Sequence, residues 1–252
     1  MFVSPFESKK KSENEIKLNL SLLSVESADW DPKFKNLMKD EYLARKYDRD
    51  KRLKEHIEYL TKLCPEMFQE GPHRGLNVID IGPGPGELLE IARCLGYNSI
   101  GFDAKMDDCE MGSPYIELSK LLVERQKLDV RYCGFENILT DLPVEKNSTF
   151  LINSRGSIEQ VFKDHLIGIP HRHHHDAKRL SWSMSEDMVG DFTRLFTEAS
   201  KILIPGGFFI IHGNGTTNTR EYHEMILKVT SEVDGIACDA SDNQALHRIR
   251  KL

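Results

Sequence analysis

Residues 76–86 read LNVIDIGPGPG: an apolar run closes on Asp80 and leads into glycines at every second position, Gly82, Gly84 and Gly86. No other stretch limits the fold so strongly. An apolar run followed by closely spaced glycines predicts a buried strand, a tight turn and then a helix. Glycine reaches left-handed backbone conformations without steric cost and lets a ligand approach the main chain. A helix opening at Gly86 would aim its unpaired N–H groups at the same place. Pro83 and Pro85 stiffen the loop and take away two amide donors, which disfavours a cradle around phosphate. The G-x-G-x-G spacing also departs from the G-x-G-x-x-G of dinucleotide sites.

From this motif onward the pattern alternates between strand and helix, which predicts a parallel α/β sheet. LLEIARCL (88–95) is helical and stops at Gly96; SIGFD (99–103) is the second strand. Ser113 and Pro114 open a helix running to about Arg125, since serine caps well and proline suits the first helical position. DVRYC (129–133) and TFLIN (149–153) are the third and fourth strands. Ser183 and Glu186 form a capping box ahead of a helix whose stripe includes Met188, Val189, Phe192, Leu195, Phe196, Ala199 and Ile202. Pro205, Gly206 and Gly207 turn the chain into FFIIH (208–212), a fifth strand apolar enough for both faces to be covered. A helix over about 219–232 and short strands near 235–239 and 246–250 complete the pattern.

Ahead of the motif, residues 1 to about 30 are polar and weakly patterned, although LNLSLLSV (18–25) can dock as a short element. Residues 32–64 read as two helices, one with Phe34, Leu37 and Met38 on a face, the other with Leu53, Ile57 and Leu60. The charged run KYDRDKR (46–52) between them is expected to be exposed. This segment is expected to act as a lid beside the glycine loop, leaving a core that binds the loop's ligand without it.

A length of 252 residues suits one α/β domain with an added segment. The net charge of −6 argues against a broad nucleic-acid surface. Five scattered cysteines with no C-x-x-C pair argue against a disulfide framework or zinc knuckle, and point to reduced thiols and a cytoplasmic protein. No apolar run reaches spanning length, so no membrane association is expected.

The strand, the G-x-G-x-G loop and the acidic residue two positions ahead of it resemble the first motif of the class I S-adenosylmethionine-dependent methyltransferases. KILIPGGFFII (201–211) is similar to that family's helix, proline-glycine turn and fifth strand, and the last two strands resemble its antiparallel closing pair. The likeness covers about residues 74–252. It implies an α/β fold with a seven-stranded Rossmann-like sheet, helices on both faces, and an N-terminal helical segment. The division is then a helical segment over 1–70 and a cofactor-binding core over 71–252.

The resemblance also implies S-adenosyl-L-methionine as cofactor. Asp80, Gly82, Pro83, Gly84 and Gly86 would lie at its amino-acid end, and Asp103, followed by Ala104, at the ribose. A carboxylate at that strand end can accept two hydrogen bonds from a ribose diol. Phe135 and Glu136 are the candidates beside the adenine, although the usual glycine-aspartate pair is interrupted because Gly134 precedes Phe135; a plain loop is the alternative. Asn153 and Ser154 follow the fourth strand and are expected near the methyl-donor side, with Arg155 and Glu159 facing substrate or, on the blander reading, forming a salt-bridged helix start.

HRHHHDAKR (171–179) leaves three readings open. Its histidines suit a general base near neutral pH, with His174 and His175 ahead of His171 and with His212 pointing to the same edge. Adjacent histidines seldom converge on one ion, so no metal is expected. A solvated loop is the third reading. Arg172, Lys178 and Arg179 make the segment basic, which favours an anionic acceptor. No D/N-P-P-Y/F follows the fourth strand, which weighs against methylation of adenine or glutamine amino groups. The expectation is O-methylation of a small molecule or saccharide. A methyltransferase-like scaffold subunit and a nicotinamide-dependent oxidoreductase are the alternatives. Acceptor identity and oligomeric state are left open.

Overall fold

The computed structural model describes residues 32–37, 39, 48–104, 114–133, 144–158, 186–213, 220–242 and 246–252. Helix α1 spans Pro32–Leu37 and α2 spans Arg49–Leu63, followed by a 3-10 turn over Pro65–Phe68. The α/β alternation then runs β1 (Asn77–Ile81), α3 (Glu87–Cys94), β2 (Asn98–Ala104), α4 (Pro114–Gln126), β3 (Asp129–Cys133) and β4 (Thr149–Arg155). It continues with α5 (Glu186–Ile202), β5 (Leu203–His212), α6 (Arg220–Glu232), β6 (Ile236–Asp242) and β7 (Leu246–Lys251).

The seven strands form one sheet in the order β3-β2-β1-β4-β5-β7-β6. The pairings from β3 through β5 are parallel. Strand β7 runs antiparallel to both β5 and β6. The chain winds outward from β1 to β3 and then returns to lay β4 on the other side of β1. That reversal opens a crevice at the carboxyl ends of β1 and β4, where ligands collect in sheets of this kind.

Each face of the sheet has its own core. Ile79, Ile81, Phe102, Ile152, Phe209 and Ile211 pack with Phe192, Phe196, Met225 and Ile226 of α5 and α6. On the opposite face Val78, Leu151, Phe208 and Ile210 pack with α3 and with Leu53, Leu60, Leu63, Cys64 and Met67 of α2 and the 3-10 turn. Helix α2 is therefore built into the same apolar layer as the sheet. Arg248 stacks its guanidinium 3.8 Å from the Phe208 ring centroid and bonds Glu66 at 3.0 Å, tying the 3-10 turn to β7.

Two expectations need correction. The run over 46–52 is not simply an exposed charged link. Within it, Asp48 caps α2 by accepting from the Lys51 amide, and Arg49 and Arg52 form ion pairs with Glu90 and Glu87 of α3. Only 9% of the Arg49 side chain and 5% of the Glu90 side chain remain exposed, so this pair is buried. The second correction is the start of β5, which is at Leu203 rather than Phe208. Pro205 and both glycines lie inside the strand, where the β4–β5 register shifts between Thr149 and Leu151. A local irregularity accommodates proline and glycine in a strand. The capping residue Ser183 lies outside the described residues, and α5 begins at Glu186.

Candidate active site at the carboxyl ends of β1 and β4

All three motif glycines are left-handed, with φ of 70° at Gly82, 52° at Gly84 and 88° at Gly86. At two of them space is as limiting as conformation. A Cβ on Gly82 would fall 2.2 Å from Ser157 Oγ, and one on Gly86 would fall 2.4 Å from Leu128 Cδ1. The loop is laced to its surroundings: the Gly82 amide donates to the Phe102 carbonyl at 2.6 Å, and the Gly86 amide to the Pro83 carbonyl at 2.9 Å. Because Pro83 and Pro85 have no N–H, the loop over 82–86 retains at most the Gly84 amide for a ligand. A pyrophosphate cradle needs more donors than that.

Asp80 lies directly beneath the loop and is 4% exposed. Its Oδ1 accepts from Asn153 Nδ2 at 2.7 Å across the β1–β4 pair. Burial pushes its carboxyl up to about 7, against the pull of the Asn153 hydrogen bond. Among the described residues no cation reaches it as an ion pair. Asp103 ends β2 half-buried, close enough for its charge to raise Asp80 further. Two carboxylates on adjacent strand ends, one of them buried without an ion-pair partner among the described residues, suit a ligand that carries positive charge next to a diol. S-adenosylmethionine has both features, so the donor set fits it.

The polar edge continues across β4 and β5. Ser154 is buried, and its Oγ accepts from the Ile158 amide at 3.2 Å, so it caps the turn after β4. Arg155 and His212 are register partners on β4 and β5. Helix α2 roofs them. Tyr59 Oη donates to Asn153 Oδ1 at 3.1 Å, its ring stacks on His212 with centroids 5.5 Å apart, and the Arg155 guanidinium lies 4.9 Å from its centroid. His56, one turn earlier, bonds the Arg52 carbonyl; burial is the first cause of its lowered pKa, so the ring is neutral at physiological pH.

Of the expected site residues, the structure thus gathers Asp80, Gly82, Pro83, Gly84, Gly86, Asp103, Asn153, Ser154 and His212 along one sheet edge. The Ala104 backbone extends β2 beside Cys133. Phe135, Glu136, Glu159, His171, His174 and His175 lie outside the described residues. Sequence reasoning expected the N-terminal helices over the site but named none of the α2 side chains that reach it. Arg52, His56 and Tyr59 recur at i, i+4 and i+7, a polar stripe on one helical face beside the apolar one, and that periodicity was the available signal.

The sheet order and the loop together decide the fold. This is a class I methyltransferase-like fold. Solved structures resemble it at low identity. WbdD, a bifunctional kinase-methyltransferase, matches with a TM-score of 0.50 and 14% identity over 86% of this chain, which spans 46% of that one. Geranyl diphosphate C-methyltransferase from Streptomyces coelicolor A3(2) matches with a TM-score of 0.42 and 13% identity over 73% of this chain and 62% of its own. A protein of Methanococcus maripaludis, named as a candidate S-adenosyl-L-methionine-dependent methyltransferase, matches with a TM-score of 0.43 and 17% identity over 80% of this chain and 92% of its own. No family model and no curated protein matches the sequence. Among the described residues of this methyltransferase-like chain, no helix is long and apolar enough to cross a membrane, and no group of three or more His, Cys, Asp or Glu residues is placed to hold a metal ion.

Proposed function

We propose that this protein is an S-adenosylmethionine-dependent methyltransferase that methylates a hydroxyl of a small molecule or saccharide. The observation that carries the reading is the left-handed glycine loop over a buried Asp80 that has no ion-pair partner among the described residues, with Asp103 near the next strand end. When bound, S-adenosylmethionine supplies a methyl group on a positively charged sulfur, open to in-line displacement. Gly82, Gly84 and Gly86 give its amino-acid end close access to the main chain, and Asp103 accepts from the ribose hydroxyls. Asp80 contributes negative charge beneath the loop, and Asn153 fixes the orientation of that carboxyl. With the cofactor held on β1 and β2, the acceptor enters over β4 and β5 beneath α2. The protein's main task there is to bring the acceptor oxygen to near-attack range, ~3–3.5 Å, and to exclude water.

An acceptor hydroxyl must also lose its proton. The segment containing His171, His174 and His175 supplies the base, a contribution of about 10²–10⁴-fold. Alanine at His174 and His175 is expected to lower turnover and leave cofactor affinity unchanged, because the change removes a group that acts on the acceptor. The decisive experiment is calorimetric titration with S-adenosylmethionine, S-adenosylhomocysteine and NAD. Saturable binding of the first two alone, abolished by Gly84→Val with the fold retained, supports the reading. Binding of NAD instead, or normal S-adenosylhomocysteine affinity in the valine variant, refutes it.

A further inference from the structure

Arg155 is the residue after Ser154 that is expected from the sequence to face substrate. It ends β4 half-buried, and among the described residues no carboxylate lies within ion-pair distance of its guanidinium. Arg49, Arg52 and Arg248 are paired with Glu90, Glu87 and Glu66, and the half-buried Arg74 over Tyr97 donates to the Leu95 carbonyl. Arg155 instead lies against the Tyr59 ring, which itself stacks on His212. A guanidinium placed over an aromatic ring without a carboxylate partner keeps donors available for a carboxylate or phosphate, which its planar fork can match with two parallel hydrogen bonds. Its charge is felt at both Asp80 and His56, so it stands within the polar cluster rather than on an outer surface.

Position assigns the anion to one side of the crevice. The cofactor elements are the loop after β1 and Asp103 on β2, both on one flank of β4. The register partner of Arg155 is His212 on β5, on the other flank. Tyr59 and His212, both partly buried and stacked on each other, stand beside the cation. We propose that Arg155, backed by Tyr59 and His212, forms an anion subsite for the acceptor, so that the molecule to be methylated carries a carboxylate or phosphate that docks on this guanidinium. The inference rests on the methyltransferase reading for the word acceptor, and on Arg155 alone for the anion.

The test uses the full-length chain, with S-adenosylhomocysteine affinity measured first and sodium acetate and inorganic phosphate then titrated with and without it. The wild type is expected to bind one of the two anions saturably, and the tighter one tells carboxylate from phosphate. Arg155→Gln is expected to weaken that binding at least about tenfold, the scale of lost charge-assisted hydrogen bonds, with S-adenosylhomocysteine affinity unchanged. Arg155→Lys keeps the charge without the fork and should fall between the two, and it carries the test if the glutamine variant does not fold. Arg131→Gln, at a surface arginine paired with Asp129, should bind as the wild type does. Absence of saturable anion binding, or equal anion affinity in Arg155→Gln, overturns the proposal. So does loss of S-adenosylhomocysteine affinity in that variant, since Arg155 would then hold the cofactor's own carboxylate. Anion binding at Arg155 in a protein that fails to bind S-adenosylhomocysteine supports the anion site and overturns the methyltransferase reading.

Discussion

The carboxyl of Asp80 sits where a charge is costly. Unfolded, it loses its proton near the ordinary value of 3.8; folded, burial holds the proton to about 7. Folding therefore takes up a proton between those values, and this group's contribution to stability falls as pH rises through that window, with the full penalty present above it. Asp80→Asn removes the penalty and keeps an oxygen for Asn153. The variant is expected to melt higher than the wild type at about pH 8, with a smaller gain at about pH 5. It should also bind S-adenosylmethionine more weakly, a trade of function for stability. Thermal melts at both pH values and one calorimetric titration check this. A variant that is no more stable at the higher pH would show that the buried charge is compensated. Asp103 is the contrasting case, since it is half-buried near the end of β2. Asp103→Ala is expected to cost cofactor binding about 1.5–3 kcal/mol through lost charge-assisted hydrogen bonds.

At the scale of elements, the contact between α2 and α3 is an apolar layer locked by two ion pairs, Arg49 with Glu90 and Arg52 with Glu87. Both glutamates lie in the first turn of α3, where the helix dipole favours them, and that helix starts at the glycine loop. The position of the loop is thus coupled to α2. Removing one member of a buried pair leaves the other charge stranded, at a cost of about 3–5 kcal/mol, while replacing both with apolar residues costs far less. Arg49→Met is therefore expected to be strongly destabilising in urea unfolding, and Arg49→Met with Glu90→Leu to recover most of the loss. Burial already raises the Glu90 pKa, opposed chiefly by Arg49. In the single variant that opposition is gone, so its deficit should shrink as pH falls and Glu90 takes up a proton. A double variant as unstable as the single one would mean that packing, rather than charge, dominates this contact.

At the scale of the molecule, α2 closes one core. Leu53, Leu60, Leu63 and Cys64 are at most 3% exposed, and they share a cluster with Val78, Phe208 and Ile210 of the sheet. Deleting residues 1–64 is expected to abolish the cooperative thermal transition, because one face of the sheet would be opened to water. A truncated chain that melts cooperatively and binds S-adenosylhomocysteine would restore the simpler lid. What the sequence determined by itself was whatever depends on neighbours along the chain. The glycine loop, the apolar strands and the stop at Gly96 follow from backbone sterics and short periodicities, and the alternation of strand and helix carried the sheet with them. Only the tertiary structure decided where α2 lies and what its charges meet. Tyr59 reaches Asn153 across 94 residues, and Arg49 reaches Glu90 across 41. An arginine in a charged run has the same local pattern whether it faces water or a buried glutamate. The same holds for Pro205 and its glycines, which signal a turn locally but lie within β5 because β4 supplies a shifted register there. Local sterics are written in adjacent residues, whereas burial of a charge depends on which distant surface covers it.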